Sequence, residues 1–467
     1  MLSFEKVDLD KVIKIKDYLY KPSKIGSDYS LEVLYSWRDE LQTKIAFFDN
    51  DAFIKAYYSF NNYCYYLPLI KKYENLYLIF DDYFNNSNDE TFELCNLTQE
   101  EAQFLNKMLP HSHYFYERTW SDYIYLVEDL AYLKGNKYAS KRHHVKRFEK
   151  LYPDVKLEEV KENDIPKLKE FLDEFKKEKV FHSKEGEFEQ QITYKLLDVY
   201  LKLGLKAFML LDGNKIIGFT ILEFKNDLIY DHIEKALREY EGIYPYLVNQ
   251  IAKMFLGKYK YINREDDSGD PGLRYSKEEY HPIFMNDKYL FIVDNNLDLL
   301  TQIPHIKIND DLEVGPLKES DKEKYALLNK DEKRNKYWGY DYKNDLLENE
   351  TPDGSYFYNG QLKDLKEKTS FVFAIYFKDK LAGEVVAYNL ENDNSCEIGY
   401  RLFAEFEGLN IAYLSTKNVL NYLKNVVKVN YFKIKSFKEN KKSLSLIERL
   451  KATYLSEDDK FKYFKIK

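Results

Sequence analysis

Between Ile229 and Arg274 the chain concentrates residues able to move protons and hold anions: Asp231, His232, Glu234 and Lys235, then Asn263, Arg264, Glu265, Asp266, Asp270 and Arg274. Alternation along a strand sets Asp231, Ile233 and Lys235 on one side and His232 with Glu234 on the other. His232 and Glu234 are therefore expected to form a proton-transfer pair, as general acid–base catalysis requires. Glu234 is the candidate base, with His232 as its alternate. Arg264 and Arg274 are candidates for holding a phosphate or carboxylate beside Asn263, and Asp266 or Asp270 for recognising an amine. The competing reading is an ion-pair network that fixes a loop containing Gly269, Pro271 and Gly272.

A second set is basic. Lys134, Lys137, Lys141, Arg142, Lys146, Arg147 and Lys150 face one acid, Glu149, with His143 and His144 between them. Helical spacing puts Lys137, Lys141 and His144 on one face. Lys141 and Arg142 are candidates for a cradle that grips the phosphate of a nucleotide, a lipid headgroup or tRNA; a solvated linker helix is the plainer alternative.

The elements that must position these residues recur. A charged strand, a one-glycine turn, an amphipathic helix and a second strand run from Ile229 to Glu265, an order that brings a helix N-terminus beside strand ends. Its turn, Glu239-Tyr240-Glu241-Gly242-Ile243, has a near copy 166 residues later at Glu405-Phe406-Glu407-Gly408-Leu409. Hairpin turns at Asp49, Asp212 and Asp379 are 163 and 167 residues apart, and strand-then-helix openings near Phe4, Leu157 and Leu312 keep the same period. Three modules are expected, at 1–150, 151–297 and 298–467. The first is degenerate: it lacks the glycine turn and is read as a strand at Leu76–Phe80, an acidic loop to Glu93 and a helix at Gln99–Met108.

Composition sets outer bounds. With 467 residues, 44% hydrophobic and 17% aromatic, several cores can be filled; a net charge of −8 excludes bulk attraction to polyanions. Cys64, Cys95 and Cys396 lack metal spacing and are odd in number, which points to a reducing cytosol, no disulfide framework and no metal. The N-terminus has no apolar leader core, and no run approaches the ~18 apolar residues of a membrane span. A cytoplasmic protein is expected.

The order of charged strand, E-[FY]-x-G turn, helix and strand resembles the GNAT acyltransferase superfamily. Residues 1 to about 295 resemble the domain family related to the cytosolic C-terminal part of phosphatidylglycerol lysyltransferase. The matching pieces are Ser121-Asp122-Tyr123, Leu133-x-Gly135-x-Lys137-Tyr138-x-x-Lys141-Arg142, the stretch from His232 to Ala236, and the run from Asn263 to Arg274 with Tyr280-His281-Pro282. Residues from about 310 to 467 resemble a separate GNAT N-acetyltransferase domain.

The resemblance implies a mixed α/β fold of three tandem GNAT-like modules, each a mostly antiparallel sheet flanked by helices. It implies transfer of an acyl group, acetyl above all, from acyl-CoA to an amine. One alternative is transfer from aminoacyl-tRNA by the central pair; another makes the first two modules a non-catalytic ligand-binding platform. The family binds the CoA pyrophosphate in a [QR]-x-x-G-x-[GA] turn, which falls here on Gly408, Asn410 and Ala412, with Asn440 and Ser443 near the pantetheine arm. Asn410 stands where the pattern has glycine and tolerates the left-handed backbone. Glu407 replaces a cation and is expected to repel the diphosphate. In the central copy Tyr244 and Pro245 impair the loop.

Overall fold

The repeated hairpins and strand–helix–strand units become three mixed sheets in a computed structural model, which describes residues 2–21, 24–58, 62–178 and 184–467. Each sheet contains a hairpin at the expected acid: Lys44–Phe48 with Asp51–Tyr57, Lys206–Asp212 with Lys215–Lys225, and Ser370–Phe377 with Lys380–Glu391. The turns at Asp49-Asn50 and Lys378-Asp379 have positive φ at both residues, the conformation that matches the twist of the flanking strands.

Each sheet also holds one parallel pair joined by a helix. The pairs are Tyr63–Tyr65 with Phe92–Leu97 around helix Leu76–Asn86, Leu228–Ala236 with Tyr261–Asn263 around Ile243–Phe255, and Ser395–Leu402 with Tyr431–Phe437 around Ile411–Asn425. Parallel neighbours need a crossover, and the helix supplies it. This corrects the reading of the first module. Leu76–Phe80 opens a helix, and the expected acidic loop contains the rest of that helix and the start of the next strand. A run of five apolar residues does not discriminate strand from helix; the crossover decides. The helix Gln99–Met108 forms as expected, closed by a Thr98–Glu101 capping box.

Sheet membership in the first two modules crosses the boundary expected at 150/151. Strand Asp122–Leu126 lies in the second sheet, between Tyr261–Asn263 and Phe284–Asn286. Strand Tyr289–Val293 lies in the first, between Phe92–Leu97 and Ser112–Tyr116. Each module thus gives its last strand to the other, and one apolar cluster runs through both, from Val7 and Leu31 to Phe219, Leu237 and Leu290. The third sheet has its own core around Val314, Phe373, Ile398 and Phe432. It docks on the first through Asn295, whose amide donates to the carbonyls of Glu391 and Ser395, and through Lys428, whose amine donates to the carbonyls of Tyr83, Ser87 and Asp89. Among the described residues no helix is long and apolar enough to cross a membrane.

Candidate functional sites in the central and third modules

In the central sheet the parallel pairing ends at Tyr230–Asn263, and the two strands part beyond it. The side of Leu228–Ala236 that pairs with Lys215–Lys225 carries a bulge: Ile221 faces Ile233, Leu222 faces Asp231, and His232 is the extra residue. The extra residue breaks the alternation, so Asp231 and Glu234 gather at Arg264 while His232 joins a different set of partners. Arg264 donates from Nε and Nη2 to the Glu234 carboxylate at 3.1 and 2.6 Å, and its Nε lies 3.7 Å from Asp231. This bidentate pair spans the opening between the strands. The Arg264 guanidinium and the Lys141 amine both stand against the Tyr280 ring, at 4.8 and 4.3 Å. Burial, reinforced by the Glu234 charge, pushes the Asp231 carboxyl well above its ordinary range. Burial opposes ionisation of Glu234 too, but the Arg264 charge outweighs it and holds that carboxyl below its ordinary value.

His232 faces three carboxylates. Its Nδ1 is 2.7 Å from Glu265 and 3.6 Å from Glu32, and its Nε2 is 3.4 Å from Glu223. Burial disfavours the imidazolium, yet the contacts with Glu223 and Glu265 and the charge of Glu32 raise its pKa well above the ordinary value. Burial pushes Glu32 up to about 7. Glu223 is accounted for by the backbone N–H groups of Leu31 and Glu32 and by the Tyr20 hydroxyl, so it caps helix Leu31–Ser36 of the first module. The ligand atoms of Glu32, His232 and Glu265 lie within 4.8 Å of one another, a spacing open to a metal ion, but a protonated His232 already balances part of that charge. The expected His232–Glu234 pair is not formed, and an imidazolium and an arginine-paired carboxylate are both poor bases.

Other residues singled out from the sequence have structural partners. Asn263 donates to the carbonyl of Ile25 and to Asp122. Asp270 accepts from the Leu273 N–H as the N-cap of helix Pro271–Glu278. Arg274 forms a fork with the fully buried Asp267 at 2.9 and 3.0 Å. Asp266 accepts from the Ser268 N–H, with the Lys288 amine 4.0 Å away. Arg142 donates to the carbonyls of Leu133 and Gly135, fixing the left-handed turn that ends helix Val127–Tyr132. The hub that sequence spacing missed is Lys288: buried, it binds Asp28 at 2.6 Å and Asp122 at 2.7 Å, tying the first module to the exchanged strand.

The glycine turn of the central module is covered. Gly242 has φ +87°, and a Cβ there would meet the His144 carbonyl at 2.7 Å, because helix Ala139–Leu151 lies across the loop. Arg147 holds Glu241 at 2.7 Å.

The third module is open at the same place. Ser395–Leu402 and Tyr431–Phe437 pair only from Ser395–Tyr431 to Glu397–Lys433 and then part, and a cleft of about 2230 Å³ opens there. Gly408, Asn410, Ala412, Asn440 and Ser443 all line it. Gly408 and Asn410 have φ +76° and +63°, and Asn410 is the left-handed N-cap of helix Ile411–Asn425, which among the described residues has no side-chain cap. That leaves amides free at a positive dipole end. Asn440 caps helix Lys441–Arg449 by accepting from Ser443 N–H, and the Ser443 hydroxyl lies 2.9 Å from the Tyr400 hydroxyl. Burial pushes the Tyr400 phenol up to about 12, against the pull of Ser443. The acid expected to repel a diphosphate, Glu407, is paired with Arg334 and with Lys442. Deeper in the cleft Arg401 binds Glu384 at 2.5 Å and stacks on Trp338 at 4.3 Å, while Tyr325 donates to Glu384.

Residues 22–292 match the family described as phosphatidylglycerol lysyltransferase, C-terminal. Residues 311–453 match the acetyltransferase (GNAT) domain. A conserved protein of unknown function from Bacteroides thetaiotaomicron VPI-5482 is similar over its whole length and 63% of this chain, at 27% identity and a TM-score of 0.59. An uncharacterized protein of Mycoplasmoides gallisepticum is 28% identical over 175 residues, 36% of this chain; the match spans 55% of that relative. The C-terminal domain of a putative lysylphosphatidylglycerol synthetase from Agrobacterium fabrum is 13% identical, covering 61% of this chain and 92% of its own, with a TM-score of 0.45.

Proposed function

Because the chain belongs to the phosphatidylglycerol lysyltransferase C-terminal family and carries an acetyltransferase (GNAT) domain beyond it, we propose that it transfers an acetyl group from acetyl-CoA to an amine in the third module. The parted strands Ser395–Leu402 and Tyr431–Phe437, with the open left-handed turn at Gly408 and Asn410 at the mouth of the cleft, carry this reading. A thioester arm entering between the strands meets unpaired strand edges, and its diphosphate meets the free amides of helix Ile411–Asn425. The amine nitrogen then attacks the thioester carbon, the C–S bond breaks, Tyr400, kept neutral by burial, gives its proton to the departing thiolate, and the proton that the nitrogen sheds on becoming an amide returns through solvent to the Tyr400 phenolate.

Isothermal titration of the full chain with acetyl-CoA tests the donor. Gly408→Val forces a β-branched residue onto φ +76° and is expected to weaken binding at least tenfold, with the circular dichroism unchanged. Undiminished binding in Gly408→Val removes this placement of the donor.

A second reading has one observation behind it: Lys134, Lys146 and Lys150 are exposed beside or along helix Ala139–Leu151, in the family that includes lysyltransferases. It makes the first two modules an aminoacyl-tRNA-dependent transferase. Salt-sensitive tRNA binding lost in Lys146→Glu/Lys150→Glu supports it; Arg142 is unsuited to that test because it holds a turn together.

A further inference from the structure

The acid at the mouth of the donor cleft is held by cations that a diphosphate would also use. Glu407 is bound by Arg334 through one carboxylate oxygen and by Lys442 at 2.7 Å through the other. Arg449 reaches Asn410 Oδ1 at 2.7 Å, on the same turn. Three cations and one acid therefore surround a helix start that no side chain caps. A carboxylate engaged by an arginine and a lysine has the charge sign and the planar pair of acceptor oxygens by which such groups bind phosphate.

We propose that Glu407 is an internal anion occupying the diphosphate cradle, so that the acyl donor binds by taking Arg334 and Lys442 away from it. This rests on the acetyl-CoA reading above and adds a selectivity to it. A donor bearing two adjacent phosphates can draw both cations; a bare pantetheine thioester offers them nothing and leaves the internal pairs closed. The exchange also reaches the other half of the cleft. Arg334 lies on the short helix Glu332–Asn335, whose Asn335 accepts from Arg401 at 2.7 Å, and Trp338 follows it against the Arg401 guanidinium.

The test is titration of the full chain with CoA and with pantetheine, at low and at high salt, in wild type, Glu407→Gln, Glu407→Ala and Arg334→Gln. Both Glu407 variants are expected to bind CoA roughly tenfold tighter than wild type at low salt, with the gain shrinking as salt screens it. Pantetheine binding should not change, and Arg334→Gln should weaken CoA. Binding seen only in the Glu407 variants also supports the exchange. Equal or weaker CoA binding in the Glu407 variants, with unchanged melting temperature, overturns it: Glu407 then only holds the cations in place while the donor reading survives. No binding by any protein removes the donor reading and the exchange with it.

Discussion

Replacing Glu32 with Gln should flatten the pH dependence of stability. Glu32 reaches across from the first module to within 3.6 Å of His232 and is 3% exposed. Burial raises its pKa from an ordinary 4.5 to about 7. Between those values the native protein holds a proton that the unfolded chain has released, so stability falls as pH rises. At 1.36 kcal/mol per pH unit the loss is about 3 kcal/mol when complete, just above pH 7. The imidazolium of His232 adds a loss in the same direction, since its raised pKa is also a native-state preference for a proton. Glutamine keeps the shape and cannot ionise, so the Glu32 part of the loss disappears. Urea unfolding at pH 5 and pH 8 should show wild type losing about 2–3 kcal/mol more than Glu32→Gln across that interval. Parallel losses in the two proteins would refute the assignment of a protonated Glu32 beside a charged His232.

Two further perturbations test the joint between the first two modules. Lys288→Met leaves Asp28 and Asp122 buried without their cation, and should lower stability by about 3–5 kcal/mol in urea unfolding; a change under 1 kcal/mol would mean that the joint does not depend on it. A chain beginning at residue 151 lacks strand Asp122–Leu126, an inner strand of the second sheet, and should show disordered near-ultraviolet circular dichroism and dye-binding apolar surface. Adding the 1–150 fragment in trans should restore packing if the exchanged strands are what is missing.

The residues that define each module were legible because they are local. A turn needs an acid or asparagine tolerant of positive φ at one position, and the crossover helices of the second and third modules follow a glycine at positive φ, so Asp49, Asp379 and Gly242 can be found by reading along the chain. The turn at Gly408 was visible for the same reason, including the left-handed Asn410.

Partners distant in sequence were not legible. Arg334 meets Glu407, Lys288 meets Asp122, and Glu223 meets the start of helix Leu31–Ser36, through contacts separated by 73, 166 and 192 residues. No spacing rule connects such positions, because the sheets that bring them together close only in three dimensions. The bulge at His232 shows the limit at closest range. Period-two alternation held on either side of it, but one extra residue, set by pairing with Ile221 and Leu222, moved Glu234 to Arg264 and His232 to the carboxylates. Local pattern settled where the chain turns and most of its elements, while helix against strand at Leu76–Phe80 was decided by the crossover. Which strand enters which sheet, and which side chain therefore meets which charge, was decided by packing alone, since backbone pairing carries no record of sequence distance.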